Sequence, residues 1–124
     1  LRILVVEDEV IIAMDIAMQL RELGHQPIGH ATRGEQAIAL AQEHRPDLVL
    51  MDISLPGMNG LEALHAIKSD PNIAAIPVIA VSASALPVDI RKGLDAGFLG
   101  YLTKPFEVTE LIYLVREVLT QKRP

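Results

Sequence analysis

The sequence of 124 residues predicts an α/β fold, in which a parallel five-stranded sheet lies between two layers of helices. Two observations predict this three-layer sandwich. Short runs rich in Val, Ile and Leu alternate five times with longer segments of helical periodicity. Several of the short runs are apolar at every position, which indicates strands that are buried on both faces, as in a parallel sheet. The length favours a single domain.

The first part of the chain contains two of these strand-helix units. Residues 3–6 form an apolar strand, and residues 9–23 follow with apolar side chains at helical spacing and Gly24 at the end. The second strand, near residues 27–31, contains a proline and a glycine and therefore suits the edge of the sheet. Residues 34–44 have the periodicity of the second helix.

The rest of the chain repeats the alternation three times. The third and fourth strands are fully apolar, and the closing helix is amphipathic. We assign residues 1–121 to one domain and residues 122–124 to a tail or the beginning of a linker. The predicted strand and helix of each unit are residues 47–51 and 60–69, residues 77–81 and 86–96, and residues 99–102 and 108–121.

Composition excludes several classes of function. The formal net charge of −5 gives no basic footprint, so we expect no direct contact with nucleic acid. No apolar run approaches the ~20 residues of a membrane span, so we expect no membrane contact by this domain. Cysteine is absent, which excludes disulfides and thiolate metal sites. We expect a cytoplasmic domain, whose parent protein can still be attached to a membrane.

Polar side chains follow four of the five predicted strands. Glu7 and Asp8 come after the first strand, Asp52 after the third, Ser82 after the fourth and Lys104 after the fifth. Ligands of open parallel sheets bind outside the carboxyl ends of the strands, so the fold brings these residues to one edge. Each one alone is more often a helix cap or a surface residue, and the joint occurrence is the signal.

The predicted cluster has the parts that phosphoryl transfer needs. Three neighbouring carboxylates repel one another unless a cation compensates, and oxygen ligands favour Mg²⁺, or Mn²⁺, over zinc. Asp52 stands alone after the central strand and is the best nucleophile, with Ser82 and Lys104 to stabilise the transferred group. The four histidines show no metal-ligand spacing and are interpreted as surface residues.

Four segments, "ILVVEDE", "PDLVLMDISLPGMNGLE", "PVIAVSA" and "GYLTKPF", resemble in order and spacing the motifs of two-component response-regulator receiver domains. The resemblance covers essentially the whole chain. It implies a flavodoxin-like (βα)5 fold of the CheY type with strand order 2-1-3-4-5. The stretch "SASALPVDIRKGLDAGFLGYLTKPF" is also similar to receivers of hybrid sensor histidine kinases.

The resemblance implies a role for each site residue. Asp52 corresponds to the phosphoacceptor and Asp8 to a direct metal ligand. Glu7 stands where aspartate is commoner and often acts through water, and the backbone carbonyl of Ser54 corresponds to a third protein ligand.

The same resemblance implies a conformational switch. Ser82 matches the switch hydroxyl and replaces the commoner threonine, which should leave the hydroxyl freer. Lys104 matches the lysine of the family, and its bond to Pro105 is expected to be cis. Tyr101 matches the aromatic switch residue and is expected to turn inward after phosphorylation. That motion would change the face made by the fourth helix, fifth strand and fifth helix.

The implied function is signalling rather than enzymatic turnover. Such domains receive a phosphoryl group from a histidine kinase or a histidine phosphotransfer protein and assist their own phosphorylation and dephosphorylation. We expect Ile11 and Ile12, with Pro105 and Phe106, to form the docking patch for a phosphotransfer helix. The alternative is that the apolar side chains of the first helix are simply buried in the core and do not dock a partner. A phosphorylation-dependent dimer is a further expectation.

Three rival functions share features of this chain. A flavodoxin-like FMN binder needs a phosphate loop after the first strand, where this chain has acids. A hydrolase of the haloacid dehalogenase type carries a second aspartate two residues after its nucleophile, where this chain has Ser54. A receiver-like domain that only binds partners would not need the complete set of acids, serine and lysine.

Overall fold

The computed structural model describes residues 1–122, and in them strands and helices alternate strictly, as predicted. Each boundary lies at most one residue from its predicted position. Residues 123 and 124 of the predicted tail lie outside the described part. The elements are β1 (Arg2–Val6), α1 (Val10–Glu22), β2 (Gln26–Ala31), α2 (Gly34–His44), β3 (Leu48–Asp52), α3 (Gly60–Ser69), β4 (Val78–Ser82), α4 (Pro87–Ala96), β5 (Gly100–Thr103) and α5 (Val108–Lys122).

The five strands form one parallel sheet in the order β2-β1-β3-β4-β5. Both the parallel sheet and the strand order are confirmed. β1 and β3 lie side by side near the centre, with Val6 opposite Met51. β2 and β5 form the edges, which agrees with the proline and glycine that weaken β2. The carboxyl ends of all five strands therefore point in the same direction.

Two hydrophobic cores cover the two faces of the sheet. Successive side chains of a strand point to opposite faces, so Leu4 and Val6 enter one core while Ile3 and Val5 enter the other. The first core contains the buried faces of α2 and α3, and the second contains those of α1 and α5. Since the central strands are buried on both faces, their carboxyl ends are fixed anchors for the residues that follow.

Several observed boundaries differ by one residue from the predicted ones, because the pairing of a strand with its neighbour extends one residue further than predicted. Asp52 pairs with Val81, and Ser82 pairs with Thr103, so both site residues end a strand rather than follow it. Glu9, predicted in the first helical turn, is instead the N-cap of α1. No helix in residues 1–122 has the length and apolar character that a membrane span requires.

Two helix ends have well-defined capping. α1 ends before Gly24, which has φ of +85° and whose N–H donates to the carbonyl of Arg21. α3 begins with a capping box, in which Asn59 accepts from the N–H of Glu62 and the Glu62 carboxylate accepts from the N–H of Asn59. The capping box fixes the start of α3 next to the end of β3.

Candidate functional site

The acids predicted to converge do converge at the carboxyl edge of the sheet. One carboxylate oxygen from each of Glu7, Asp8 and Asp52 lies within 4.8 Å of the other two. Glu7 and Asp52 are buried, at 1 % and 3 % exposure, whereas Asp8 is exposed. Two buried carboxylates so close together require a positive charge beside them.

Lys104 supplies that positive charge from the end of β5. Its Nζ lies 2.5 Å from Oε1 of Glu7 and 3.0 Å from Oδ2 of Asp52, and it donates a hydrogen bond to each. The main-chain N–H of Lys104 donates to the carbonyl of Ser82 at 2.8 Å, and its peptide bond to Pro105 is cis, as expected. The ammonium is thus held between two acids.

The acids and the lysine shift one another's protonation. Burial raises the pKa of Glu7 above its usual value, against the opposing effect of the hydrogen bond from Lys104. For Lys104, burial alone would lower the pKa, but the hydrogen bonds and charges of Glu7 and Asp52 outweigh it and the pKa is raised. The lysine is therefore a permanent cation in the site at neutral pH.

The loop after β3 fixes the carboxylate of Asp52. The N–H of Ser54 donates to Oδ1 of Asp52 at 2.9 Å, which leaves Oδ2 for Lys104. Gly60 packs against this turn so tightly that a Cβ there would lie 2.5 Å from the Asp52 carbonyl oxygen. The expected role of the Ser54 carbonyl as a metal ligand stays a prediction.

Ser82 lines a recess of about 260 Å³, which Ser54, Ser84 and Tyr101 also line. Ser82 is buried, and its hydroxyl accepts a hydrogen bond from the N–H of Ser84 at 3.1 Å. The expectation that serine leaves this hydroxyl freer than threonine stays a prediction. Ser84 is itself anchored, since its hydroxyl donates to Oδ2 of Asp89 at 2.6 Å.

Tyr101 already lies inward in this structure, which differs from the expectation that phosphorylation brings it there. Its hydroxyl donates to the carbonyl of Ser84 at 3.0 Å, and its ring packs against the first core. The reason lies in α4, where Gly93 has no side chain: a Cβ at that position would lie 3.2 Å from the ring. The absence of a side chain at Gly93 leaves room for the tyrosine.

The four residues predicted to dock a partner are brought together. Ile11, Ile12, Pro105 and Phe106 line one recess of about 550 Å³ between α1 and the loop after β5. Ile11 is 84 % exposed, so simple burial of α1 does not account for it. Lys104 lines the same recess, which therefore adjoins the acids.

One further contact was not predicted. His30 is exposed, as predicted, but its Nε2 lies 2.7 Å from the carbonyl oxygen of Glu7. It belongs to the edge strand β2, where nothing in the local pattern of residues points to the acidic loop.

The clustered residues fit a hard divalent cation. All three side chains offer carboxylate oxygens, which suit Mg²⁺ or Mn²⁺ and not a thiolate-seeking metal. Glu7 and Asp52 are oriented by hydrogen bonds from the main chain as well as from Lys104.

Known proteins share this sequence and this fold. Residues 3–116 match the family described as the response regulator receiver domain. The transcriptional regulatory protein PdtaR of Mycobacterium tuberculosis is 38 % identical over 122 residues, which are 98 % of this chain and 58 % of that protein. The probable transcriptional regulatory protein TcrX of the same species is 39 % identical, over 94 % of this chain and 49 % of that protein. The chain thus spans about half the length of the curated relatives it matches.

Solved structures agree with these matches. The receiver domain of the sensor histidine kinase PA1611 from Pseudomonas aeruginosa PAO1, with a magnesium ion coordinated in its active site cleft, is 35 % identical. It superposes with a TM-score of 0.87, over 96 % of this chain and 97 % of that one. A putative response regulator from Chloroflexus aurantiacus J-10-fl gives a TM-score of 0.90 at 29 % identity, over 96 % of this chain and 97 % of that one. The chain belongs to the receiver domain family of two-component response regulators.

Proposed function

We propose that this domain accepts a phosphoryl group on Asp52, in a reaction that depends on Mg²⁺ or Mn²⁺. One observation carries the proposal: a buried carboxylate at the end of a central strand lies within 4.8 Å of two further acids and accepts a hydrogen bond from Lys104. Phosphoryl transfer needs a nucleophile, positive charge and positioning together, and these residues supply all three.

The arrangement supports a direct displacement at phosphorus. A carboxylate oxygen of Asp52 forms the new bond to phosphorus while the bond from phosphorus to the donor's histidine nitrogen breaks, and the nitrogen keeps the electron pair. A bound dication would neutralise the acids and the phosphoryl oxygens. Lys104 supplies a fixed positive charge 3.0 Å from Asp52, and Ser82 supplies a hydroxyl in the adjoining recess. The proposed protein partners of the dication are Glu7, Asp8, Asp52 and the carbonyl of Ser54.

Phosphorylation would act on the face formed by α4, β5 and α5. The phosphoryl group adds negative charge and three acceptor oxygens beside Ser82. A move of the Ser82 hydroxyl toward these oxygens would break its hydrogen bond from Ser84, and Ser84 holds the hydroxyl of Tyr101. We propose that phosphorylation shifts the population between two positions of this loop and of Tyr101. A phosphorylation-dependent dimer through this face is part of the same proposal.

We propose that the partner is a histidine kinase or a histidine phosphotransfer protein, docked on the recess lined by Ile11, Ile12, Pro105 and Phe106. An apolar recess that shares Lys104 with the site suits a helix that presents a phosphohistidine. NMR shift mapping with the cognate phosphotransfer protein tests this. Shifts around Ile11 and Phe106 are expected, and unchanged signals there would exclude the docking site.

The direct test of the phosphoacceptor is intact-mass and phosphate analysis after incubation with Mg²⁺ and a small phosphodonor such as acetyl phosphate. The parent domain should gain one phosphoryl group, and Asp52→Asn should gain none. The matched control is Asp95→Asn, which changes a largely exposed aspartate of α4 and should be labelled like the parent. Equal labelling of Asp52→Asn and the parent would exclude this acceptor.

We further propose that the domain acts in the cytoplasm through protein partners and contacts neither nucleic acid nor membrane. The net charge of −5 supports this, since phosphate-rich surfaces repel an acidic domain. A gel-shift assay with duplex DNA at low salt is the check, and retardation of the DNA by this domain would refute the proposal.

A further inference from the structure

His30 makes a contact that the proposed mechanism does not use. Its Nε2 lies 2.7 Å from the carbonyl oxygen of Glu7, the first residue after β1. A carbonyl oxygen only accepts hydrogen bonds, so the tautomer or protonated form that carries hydrogen on Nε2 is the one that fits. In the sheet His30 is opposite Val5, and its side chain reaches forward from there to the end of β1.

The Glu7 carbonyl needs this donor because the ladder between β1 and β2 ends there. The N–H of Glu7 still donates to the carbonyl of Ala31 at 2.9 Å. Just beyond, the chain turns into α2, where the N–H of Thr32 donates at 2.9 Å to the side chain of Gln36. In the part of the chain that the structure describes, no main-chain N–H meets the Glu7 carbonyl, and the imidazole of His30 takes that place.

The bond controls the direction of the next peptide group. The carbonyl of Glu7 and the N–H of Asp8 belong to one rigid plane, so a donor fixed on the carbonyl also fixes the start of Asp8. The carboxylates of Glu7 and Asp52 are held by hydrogen bonds of their own. That of Asp8 accepts none from the described residues, so its position depends on the main chain.

We propose that His30 is a positioning residue of the metal site: it holds the Glu7–Asp8 peptide so that the Asp8 carboxylate faces the other two acids. This inference rests on the proposed function, since it concerns the same dication. A single hydrogen bond contributes about 0.5–1.5 kcal/mol, which corresponds to a 2- to 12-fold change in an equilibrium constant. Loss of the donor should weaken Mg²⁺ binding by that factor.

The test compares variants of the intact chain by magnesium titration, followed through the amide NMR signals of Asp8 and Ser54. His30→Leu removes the donor and keeps the bulk, and His30→Gln keeps an N–H donor of similar reach. His65→Leu, on the exposed surface of α3, is the matched control. His30→Val suits an edge strand and replaces the leucine variant if that one does not fold.

We expect His30→Leu to bind Mg²⁺ roughly 2- to 12-fold more weakly and to shift the Asp8 amide signal before metal is added. His30→Gln should recover most of the affinity, which a purely structural role in β2 would not predict. A folded His30→Leu or His30→Val with the parental dissociation constant would overturn the inference and leave the proposed function intact. Failure of the parent itself to bind Mg²⁺ would overturn both.

Discussion

Lys104 and Glu7 form the shortest polar contact of the site, with Nζ 2.5 Å from Oε1. The other oxygen of Glu7 accepts from the N–H of Glu9 at 3.1 Å, so the carboxylate spans the distance between its own loop and the end of β5. A glutamate carries one methylene more than the aspartate that is commoner at this position, and the extra length suits this bridge. A dication that enters the cluster must therefore compete with the ammonium of Lys104 for the same acids.

Replacement of Lys104 by methionine tests this competition. Loss of the ammonium leaves Glu7 and Asp52 buried without a positive partner, so we expect the free energy of unfolding without metal to fall by about 3–5 kcal/mol. The same change removes the competitor, so Mg²⁺ should bind more tightly and restore much of the lost stability. Urea denaturation with and without Mg²⁺ measures both effects.

The matched control is Lys92→Met, which changes an exposed lysine of α4 and should alter neither quantity. A Lys104→Met domain that is as stable as the parent and no better at binding Mg²⁺ would contradict the competition. Phosphoryl labelling should fall in Lys104→Met despite the tighter metal binding, since a fixed charge beside Asp52 is lost.

Gly60→Ala tests the support of the phosphoacceptor. A Cβ at this position would lie 2.5 Å from the carbonyl oxygen of Asp52 and 2.6 Å from Cα of Ile53, and main chain cannot move aside easily. We expect a loss of about 1–3 kcal/mol in the free energy of unfolding, with weaker Mg²⁺ binding. In Gly29→Ala, where the nearest atoms are side-chain carbons at 3.7 and 3.8 Å, the change should be much smaller. Thermal denaturation compares the two, and equal effects would contradict the role of Gly60.

Gly93→Ala tests the position of Tyr101. The new Cβ would lie 3.2 Å from the ring, so we expect the ring to shift and its hydrogen bond to the Ser84 carbonyl to weaken. Tyr101 and Tyr113 are the two tyrosines of the chain, so a Tyr113→Phe background isolates the signals of Tyr101 in NMR spectra. Labelling of Asp52 should be unchanged.

A Tyr101 spectrum that is identical with and without the alanine would show that Gly93 does not set the ring position. Tyr101→Ala should likewise leave the phosphoryl labelling of Asp52 intact, but it should weaken the response of a partner that binds the face formed by α4, β5 and α5. Loss of labelling in Tyr101→Ala would contradict its role as a switch.

Asp70 gives a test by pH far from the acidic cluster. Its carboxylate ends α3 and accepts hydrogen bonds from the N–H of Asn72 and, second, from the side chain of Gln42, which hold the pKa of Asp70 below its usual 3.8. Because the pKa is lower in the folded state, the ionised carboxylate stabilises the fold at any pH above the pKa of the unfolded state. This contribution disappears as the pH falls through the pKa of the folded state. Asp70→Ala should therefore be less stable than the parent at neutral pH, by a margin that shrinks below pH 3.8.

Urea denaturation across that pH range measures the margin. Glu117→Gln, on the exposed face of α5, controls for the loss of one surface charge. A margin for Asp70→Ala that is constant from neutral to acidic pH would show that the ionised carboxylate is not what stabilises this turn.

The alternation of elements and the convergence of the acids were predictable from the sequence. Buried strands require unbroken apolar runs, and a parallel sheet places every carboxyl end at one edge, so Glu7, Asp8 and Asp52 had to meet. Strand ends shifted by one residue because the ladder continues wherever a neighbour offers a partner, as for Asp52 opposite Val81. That pairing depends on the register between strands, which the local pattern of residues does not contain.

Contacts between side chains were less predictable. The inward position of Tyr101 depends on a missing side chain at Gly93, eight residues earlier in the chain and on another element. The contact of His30 with Glu7 spans 23 residues and depends on where the ladder ends. Neither contact can be predicted from the periodicity of apolar residues, because both depend on which atoms come close together in the folded chain.

The most direct test of the site is a crystal of this domain soaked in Mn²⁺ and measured for anomalous scattering. The proposal predicts one strong peak among the carboxylates of Glu7, Asp8 and Asp52, bound also by the carbonyl of Ser54, with the ammonium of Lys104 displaced from Glu7. A map without a peak at this edge of the sheet, with Lys104 still bound to both acids, would contradict it.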